Sequence, residues 1–136
     1  MKKVMVFGTF DGVHPGHENF LEQAKEHGDY LIAVVARDKT VEKVKNRRPD
    51  YSEVERRSML WKNPNVDAAV LGKYRDKMEV VAEHRPDVIC LGYDQEHFVE
   101  NLELELKAMG LDCQVIRLKP YKPDIYKTSL LRNKKE

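Results

Sequence analysis

Apolar and polar residues fall in alternating blocks along this chain. Lys3-Val4-Met5-Val6-Phe7 is a short apolar run and reads as a first strand over Lys3–Phe7. The turn Gly8-Thr9-Phe10-Asp11-Gly12-Val13-His14-Pro15-Gly16-His17 follows, and Phe20, Leu21 and Ala24 then stand at helical spacing, predicting a helix over Pro15–His27. Gly28 is placed to cap it. Tyr30 to Ala36 is an unbroken apolar run, the pattern of a parallel strand covered on both faces. Ser52-Glu53-Val54-Glu55 has the spacing of a capping box and predicts a helix to about Lys62, with Val54, Met59 and Trp61 among its apolar positions. Val66–Leu71, Asp87–Leu91 and Cys113–Leu118 complete the strands. Arg75–His84 and Phe98–Met109 are the intervening helices, the second with Gly110 as its cap. A short helix over Lys127–Arg132 is expected in the tail.

Strands and helices in alternation predict an α/β domain built on a five-stranded parallel sheet, order 3-2-1-4-5, with helices on both faces. With 136 residues the chain is one domain, 1–136, its tail 119–136 lying at the site. That strand order sets the carboxyl ends of strands one and four at the switch point. It brings Gly8–His17 and Gly92-Tyr93-Asp94-Gln95 to one cleft.

The charge balance narrows the partners. Lys and Arg total 24 against 23 Asp and Glu, so bulk electrostatics gives no case for nucleic acid. The opening MKKVMVFG is too short in apolar length for a signal peptide, and no stretch is long enough to span a membrane; a cytoplasmic protein is expected. Cys90 and Cys113 both fall in apolar runs and read as buried thiols, and no Cys/His spacing suggests a metal site.

Against this background the first turn is the chemical centre. Pro15 suits a first helical position, Gly16 leaves backbone N–H groups open to an anion, and His14 and His17 can donate to phosphate oxygens. The charged segment Lys39–Asp50, with Thr40, Lys43, Lys45, Arg47 and Arg48, lacks apolar periodicity. It reads either as a solvated helix end and loop or as a mobile basic flap that clamps phosphates. Of Arg56 and Arg57, at least one can face the site.

These residues resemble the HxGH nucleotidyltransferases, in particular the cytidylyltransferase-like group, a Rossmann-like nucleotidyltransferase fold. The resemblance rests on Gly8-Thr9-Phe10-Asp11 with His14-Pro15-Gly16-His17, on the loop with Lys43 and Lys45, on Glu55-Arg56-Arg57, on Gly92-Tyr93-Asp94-Gln95 and on Thr128-Ser129. Within the group the chain is most similar to the archaeal FMN adenylyltransferases, which resemble it in Val35-Ala36-Arg37-Asp38, the Arg56-Arg57 pair, Leu91-Gly92-x-Asp94-Gln95 and a Tyr-Lys after strand five. Two other branches stand as alternatives: cytidylyltransferases acting on glycerol-3-phosphate, and sugar-phosphate adenylyltransferases of the heptose type.

The resemblance implies transfer of AMP from ATP to FMN, with Mg2+ accompanying ATP and a homodimeric assembly. It implies that His14, His17 and Lys43 are catalytic. Thr9, Phe10, His14, Pro15, Gly16, His17, Asp94, Tyr121, Thr128 and Ser129 would bind the nucleotide. Asp11, Lys43, Lys45, Arg56 and Arg57 would serve the phosphates and the acceptor. Some residues keep a plainer reading: Asp94 as a turn-stabilising residue, Thr128 or Ser129 as a helix cap, Tyr121 as an anchor for the tail.

Overall fold

The computed structural model describes residues 1–74, 76–93, 95 and 101–120. The parallel strands are β1 (Lys3–Gly8), β2 (Tyr30–Val35), β3 (Ala68–Leu71), β4 (Val88–Leu91) and β5 (Gln114–Arg117). They pair in the order β3-β2-β1-β4-β5, as the apolar pattern predicts. β1 is central, in register with β2 from Lys3 opposite Tyr30 to Gly8 opposite Val35, and with β4 from Val4 opposite Val88 to Cys90 opposite Val6.

The continuous apolar runs are sorted between two cores by the two-residue period of a strand. Val4, Val6, Leu31, Ala33 and Val35 face one side of the sheet, with Leu21 and Ala24 of α1 (Pro15–Lys25) and Leu60 of α3 (Glu53–Trp61). Met5, Phe7, Ile32 and Val34 face the other, with Val80 and Val81 of α4 (Met78–His84) and Leu102 and Leu106 of α5 (Leu102–Ala108). Helices therefore cover both faces, and the polar ends of the strands are left to form the site. Cys90 belongs to the first core and Cys113 packs against the second; burial pushes their thiols up to about 12 and about 11.

Several expectations change. The segment Lys39–Asp50 is not all loop: Asp38–Lys45 is a helix, α2, fixed by the buried Val41. Asp38 in its first turn and Lys43 and Lys45 in its last match the helix dipole, which supports a helix too short and too polar to show a stripe. Asn46 ends it in the left-handed region at φ 57°. In α3 the capping box of Ser52 and Glu55 is present, yet Val54 and Trp61 are exposed and the inward positions are Arg56 and Leu60. Gly28 is not a left-handed cap, for α1 ends at Glu26 in right-handed geometry. A Cβ on Gly28 would lie 2.6 Å from Val4 Cγ2 and 2.7 Å from the Lys2 carbonyl, so close approach to β1 is what requires glycine. Gly110, at φ +71°, does take the left-handed conformation expected of it. The tail helix expected over Lys127–Arg132 lies outside the described residues.

At the amino ends of the strands, aspartates hold the chain. Asp29 accepts from the Lys2 N–H, Asp87 from the Lys3 N–H, and Asp67 from the Leu31 N–H and from Lys25. The carboxyl ends, on the opposite edge, carry the chemistry.

Candidate active site

The site is assembled where β1 stops. His14 is the N-cap of α1, with Pro15 in the first turn, and its Nδ1 accepts the Gly16 N–H at 3.0 Å. An accepting Nδ1 carries no proton, which assigns the ring proton of neutral His14 to Nε2. Gly16, expected to leave its N–H open to an anion, instead gives it to this histidine. His17 lies one position further round the first turn, and its Nδ1 is 3.2 Å from the Gly12 carbonyl. A carbonyl can only accept, so Nδ1 of His17 carries the proton and Nε2 presents a lone pair. The His14 N–H also points at this Nδ1, at 3.4 Å, a longer approach that a protonated Nδ1 does not accept.

The two imidazoles stack, with centroids 3.8 Å apart and planes 24° from parallel. Burial holds His14 below its usual pKa, against a smaller upward pull from Glu18. Burial also pushes His17 down to about 4, helped by His14 and by Lys45 and opposed by Gly12 and Asp11. Both rings are therefore neutral at pH 7. Oriented N–H dipoles, the α1 N-terminus and nearby cations attract an anion here, with no standing imidazolium.

Phe10 supports this pair and is a core residue. Its ring is 3% exposed, lies edge-on to His17 with centroids 5.7 Å apart and tilts against Phe20. That placement contradicts a direct nucleotide contact for the Phe10 ring. The backbone reaches it through φ 53° at Phe10, and Gly8 makes the room, since a Cβ there would lie 2.9 Å from the Phe10 ring.

Arg56 and Asp11 are also reassigned. Arg56 is 0% exposed and commits four N–H groups to the scaffold: to the carbonyls of Tyr51 (3.0 Å), Thr9 (2.8 Å) and Ala36 (2.8 Å) and to Asp38 Oδ1 (2.6 Å). A guanidinium so enclosed cannot present its fork to a triphosphate. Asp11 accepts the N–H groups of Asp50 (2.7 Å) and Tyr51 (2.9 Å), one on each carboxylate oxygen, so it fastens the segment before α3 instead of meeting an anionic acceptor. Thr9 gives its carbonyl to Arg56, and Pro15 is exposed at the rim. Arg57 is half-buried on the next position of α3.

The two lysines of α2 separate. Lys45 stands one turn after the buried Val41, on the same face, and its charge is felt at His17. Lys43, two residues from Val41, is on the roughly opposite, exposed face. Both lysines are exposed, and of the two it is Lys45 whose charge reaches His17.

The turn after β4 joins the same cleft. Gln95 Nε2 donates to the Phe7 carbonyl at 2.7 Å, and its Oε1 accepts the Gly92 N–H at 2.8 Å. Arg117, at the end of β5, donates from one guanidinium nitrogen to the carbonyls of Gly92 (2.7 Å), Tyr93 (3.3 Å) and Gln95 (2.9 Å). Sequence reasoning passed over Arg117, and an arginine closing a short strand carries no local signal of such a task. Asp94, Tyr121, Thr128 and Ser129 lie outside the described residues.

Comparison with known proteins agrees with this geometry. The cytidylyltransferase-like family pattern matches residues 5–134. The chain is 46% identical over 121 residues to a FAD synthase of Aciduliprofundum boonei, covering 89% of this chain and 80% of that one. It is 44% identical over 134 residues to a FAD synthase of Thermococcus sibiricus, covering 97% and 90%. Among solved structures, a lipopolysaccharide core biosynthesis protein from Thermoplasma volcanium superimposes with a TM-score of 0.84 at 36% identity, covering 90% of this chain and 99% of that one. A histidine-bearing turn at the switch point of a 3-2-1-4-5 sheet, matched by relatives over most of their own length, leaves one assignment: this chain belongs to the cytidylyltransferase-like family.

Proposed function

We propose that the chain transfers AMP from ATP to FMN, giving FAD and pyrophosphate. The observation that carries this reading is the stacked His14–His17 pair at the N-terminus of α1, in a chain 44–46% identical to archaeal FAD synthases. The FMN phosphate is already anionic and needs no general base. One of its oxygens forms a bond to the α-phosphorus in line with the bond that breaks to the pyrophosphate oxygen. The protein's work is alignment and neutralisation of the charge that builds on the phosphoryl oxygens.

Each group then has a task at a stated atom. Nε2–H of His14 donates to an α-phosphate oxygen. Nε2 of His17 takes up a proton when the phosphate's negative charge arrives beside it, and then donates as well. Lys45 neutralises phosphate charge from the β2 side. Gly92, Tyr93 and Gln95, held by Arg117, form the wall on the β4 side, where the nucleoside is received.

Among the described residues no three His, Cys, Asp or Glu side chains converge, and Asp11 already holds two backbone N–H groups. The described residues offer no cage of several protein ligands for a resident ion. Mg2+ that arrives on ATP belongs with the substrate.

The 36% identity to a lipopolysaccharide core biosynthesis protein keeps a second reading in view, the sugar-phosphate acceptor raised by the sequence. A pyrophosphate-release assay that crosses ATP and CTP with FMN, glycerol-3-phosphate and heptose-1-phosphate separates these readings. Product is expected from ATP with FMN. Activity with CTP alone, or with the sugar phosphate and not FMN, overturns the proposal.

A further inference from the structure

FMN differs from the other acceptors in its broad planar ring, and a site for it needs a flat surface beside the phosphate. We infer that Tyr51 is that surface: the platform on which the acceptor's fused aromatic ring stacks. The inference rests on the reading above that the acceptor is a flavin phosphate.

The neighbours of β1 divide the cleft. The β4 side is closed by the turn held by Gln95 and Arg117, and receives the nucleoside. The β2 side, where Lys45 approaches His17, is left for the acceptor. Tyr51 stands on that side, between α2 and α3, and touches the turn. A Cβ built on Gly12 would lie 3.5 Å from Tyr51 Cε2, and the carbonyl of the same Gly12 orients His17.

The backbone of Tyr51 is fixed at both polar groups. Its N–H donates to Asp11 Oδ1 at 2.9 Å and its carbonyl accepts from the buried Arg56 at 3.0 Å. Its side chain nevertheless remains 42% exposed. A ring of this size gains stability by burial, so a rigidly held yet open ring adds little to folding. It is instead preorganised for a partner that completes the burial, and little conformational freedom remains to be lost on binding. The ribityl chain of FMN separates ring from phosphate, so a platform beside the histidine pair, not at it, suits such a molecule. Tyr74, another exposed ring at the carboxyl edge, already has Arg37 over its face at 4.6 Å.

The test compares Tyr51→Leu, which keeps apolar bulk without a ring, with Tyr51→Trp, which keeps the ring. Tyr51→Leu should raise KM for FMN by roughly 5- to 100-fold, the range for loss of one aromatic stack, with KM for ATP unchanged within about twofold. Quenching of FMN fluorescence on titration with the protein should vanish in Tyr51→Leu and persist in Tyr51→Trp, a signature that a merely structural tyrosine does not control. If Tyr51→Leu leaves FMN KM and quenching as in wild type, or raises the ATP and FMN KM values together, the platform is wrong while the FMN reading stands. A folded wild-type protein that makes no FAD from ATP and FMN overturns both.

Discussion

Arg56→Met gives the sharpest test of the architecture beneath the site. The substitution removes four hydrogen bonds from a fully buried cation, to carbonyls of three separate segments and to Asp38. Hydrogen bonds to charged groups contribute about 1.5–3 kcal/mol each, but they are not additive when they share one guanidinium. Removing one partner of a fully buried ion pair costs about 3–5 kcal/mol, and the pair itself contributes less here because Asp38 keeps 36% of its side chain exposed, so the three carbonyls left unsatisfied carry most of the loss. A loss of roughly 3–5 kcal/mol is therefore expected, with methionine's apolar packing offsetting part of the deficit. For a domain of this length, whose whole stability is on the order of 7–20 kcal/mol at 0.05–0.15 kcal/mol per residue, that is a large fraction. Urea denaturation should show a lower midpoint with the same slope. Arg56→Lys should recover only part of the loss, because one ammonium cannot reach acceptors spread around a planar fork. A phosphate ligand predicts the reverse pattern. The scaffold assignment fails if Arg56→Met loses less than about 1 kcal/mol while KM for ATP rises tenfold or more.

Other substitutions probe the surface of the site. His14→Ala should lower kcat by roughly two to three decades, as expected for loss of one preorganised donor, and His17→Ala should also lower it, both measured by pyrophosphate release on folded protein. Lys45→Ala should lower kcat/KM and raise the His17 pKa, read by NMR titration, whereas Lys43→Ala should do neither. His17 is depressed to about 4 in the fold against 6.5 in the unfolded chain, so below pH 6.5 the unfolded state takes up a proton that the native state refuses. Stability present above pH 6.5 is then lost as pH falls toward 4, by up to about 3 kcal/mol, and denaturation midpoints of His17→Gln should lack that part of the slope. Gly8→Ala drives a methyl into the Phe10 ring and should cost about 1–3 kcal/mol in stability and slow turnover, checked by thermal melts and rate together.

What was legible in the sequence was whatever is settled locally or by periodicity. Unbroken apolar runs require two covered faces, and crossover handedness leaves few strand orders, among them the favoured 3-2-1-4-5 that the sheet adopts. The turn at His14 and His17 announces itself because Pro15, Gly16 and a capping geometry are encoded within a few neighbouring residues. Gly110 is of the same kind. What stayed hidden depends on residues far apart in the chain. Arg56 looks like a surface charge on a polar helix until Thr9, Ala36 and Tyr51 turn their carbonyls toward it. Gly28 looks like a helix cap, but its constraint is set by Lys2 and Val4 on the neighbouring strand. α2 escaped notice because Val41 alone among its residues is buried. Lys43 and Lys45 divide for the same reason, since a loop gives no means of placing two lysines on different faces and a helix does.

The carbonyls that close β1 have a kinetic meaning. Phe7 accepts from Gln95, Gly8 from the Ala36 N–H at 2.9 Å, and Thr9 from Arg56. Three consecutive peptide groups thus report on three different parts of the molecule: the turn beyond β4, the end of β2, and α3. The turn becomes ordered only when all of them have arrived, so recovery of activity should lag every local probe of refolding and coincide with the last. In the opposite direction, release of any one of the three should lower turnover while the sheet is still formed, seen as loss of activity ahead of loss of circular dichroism on heating.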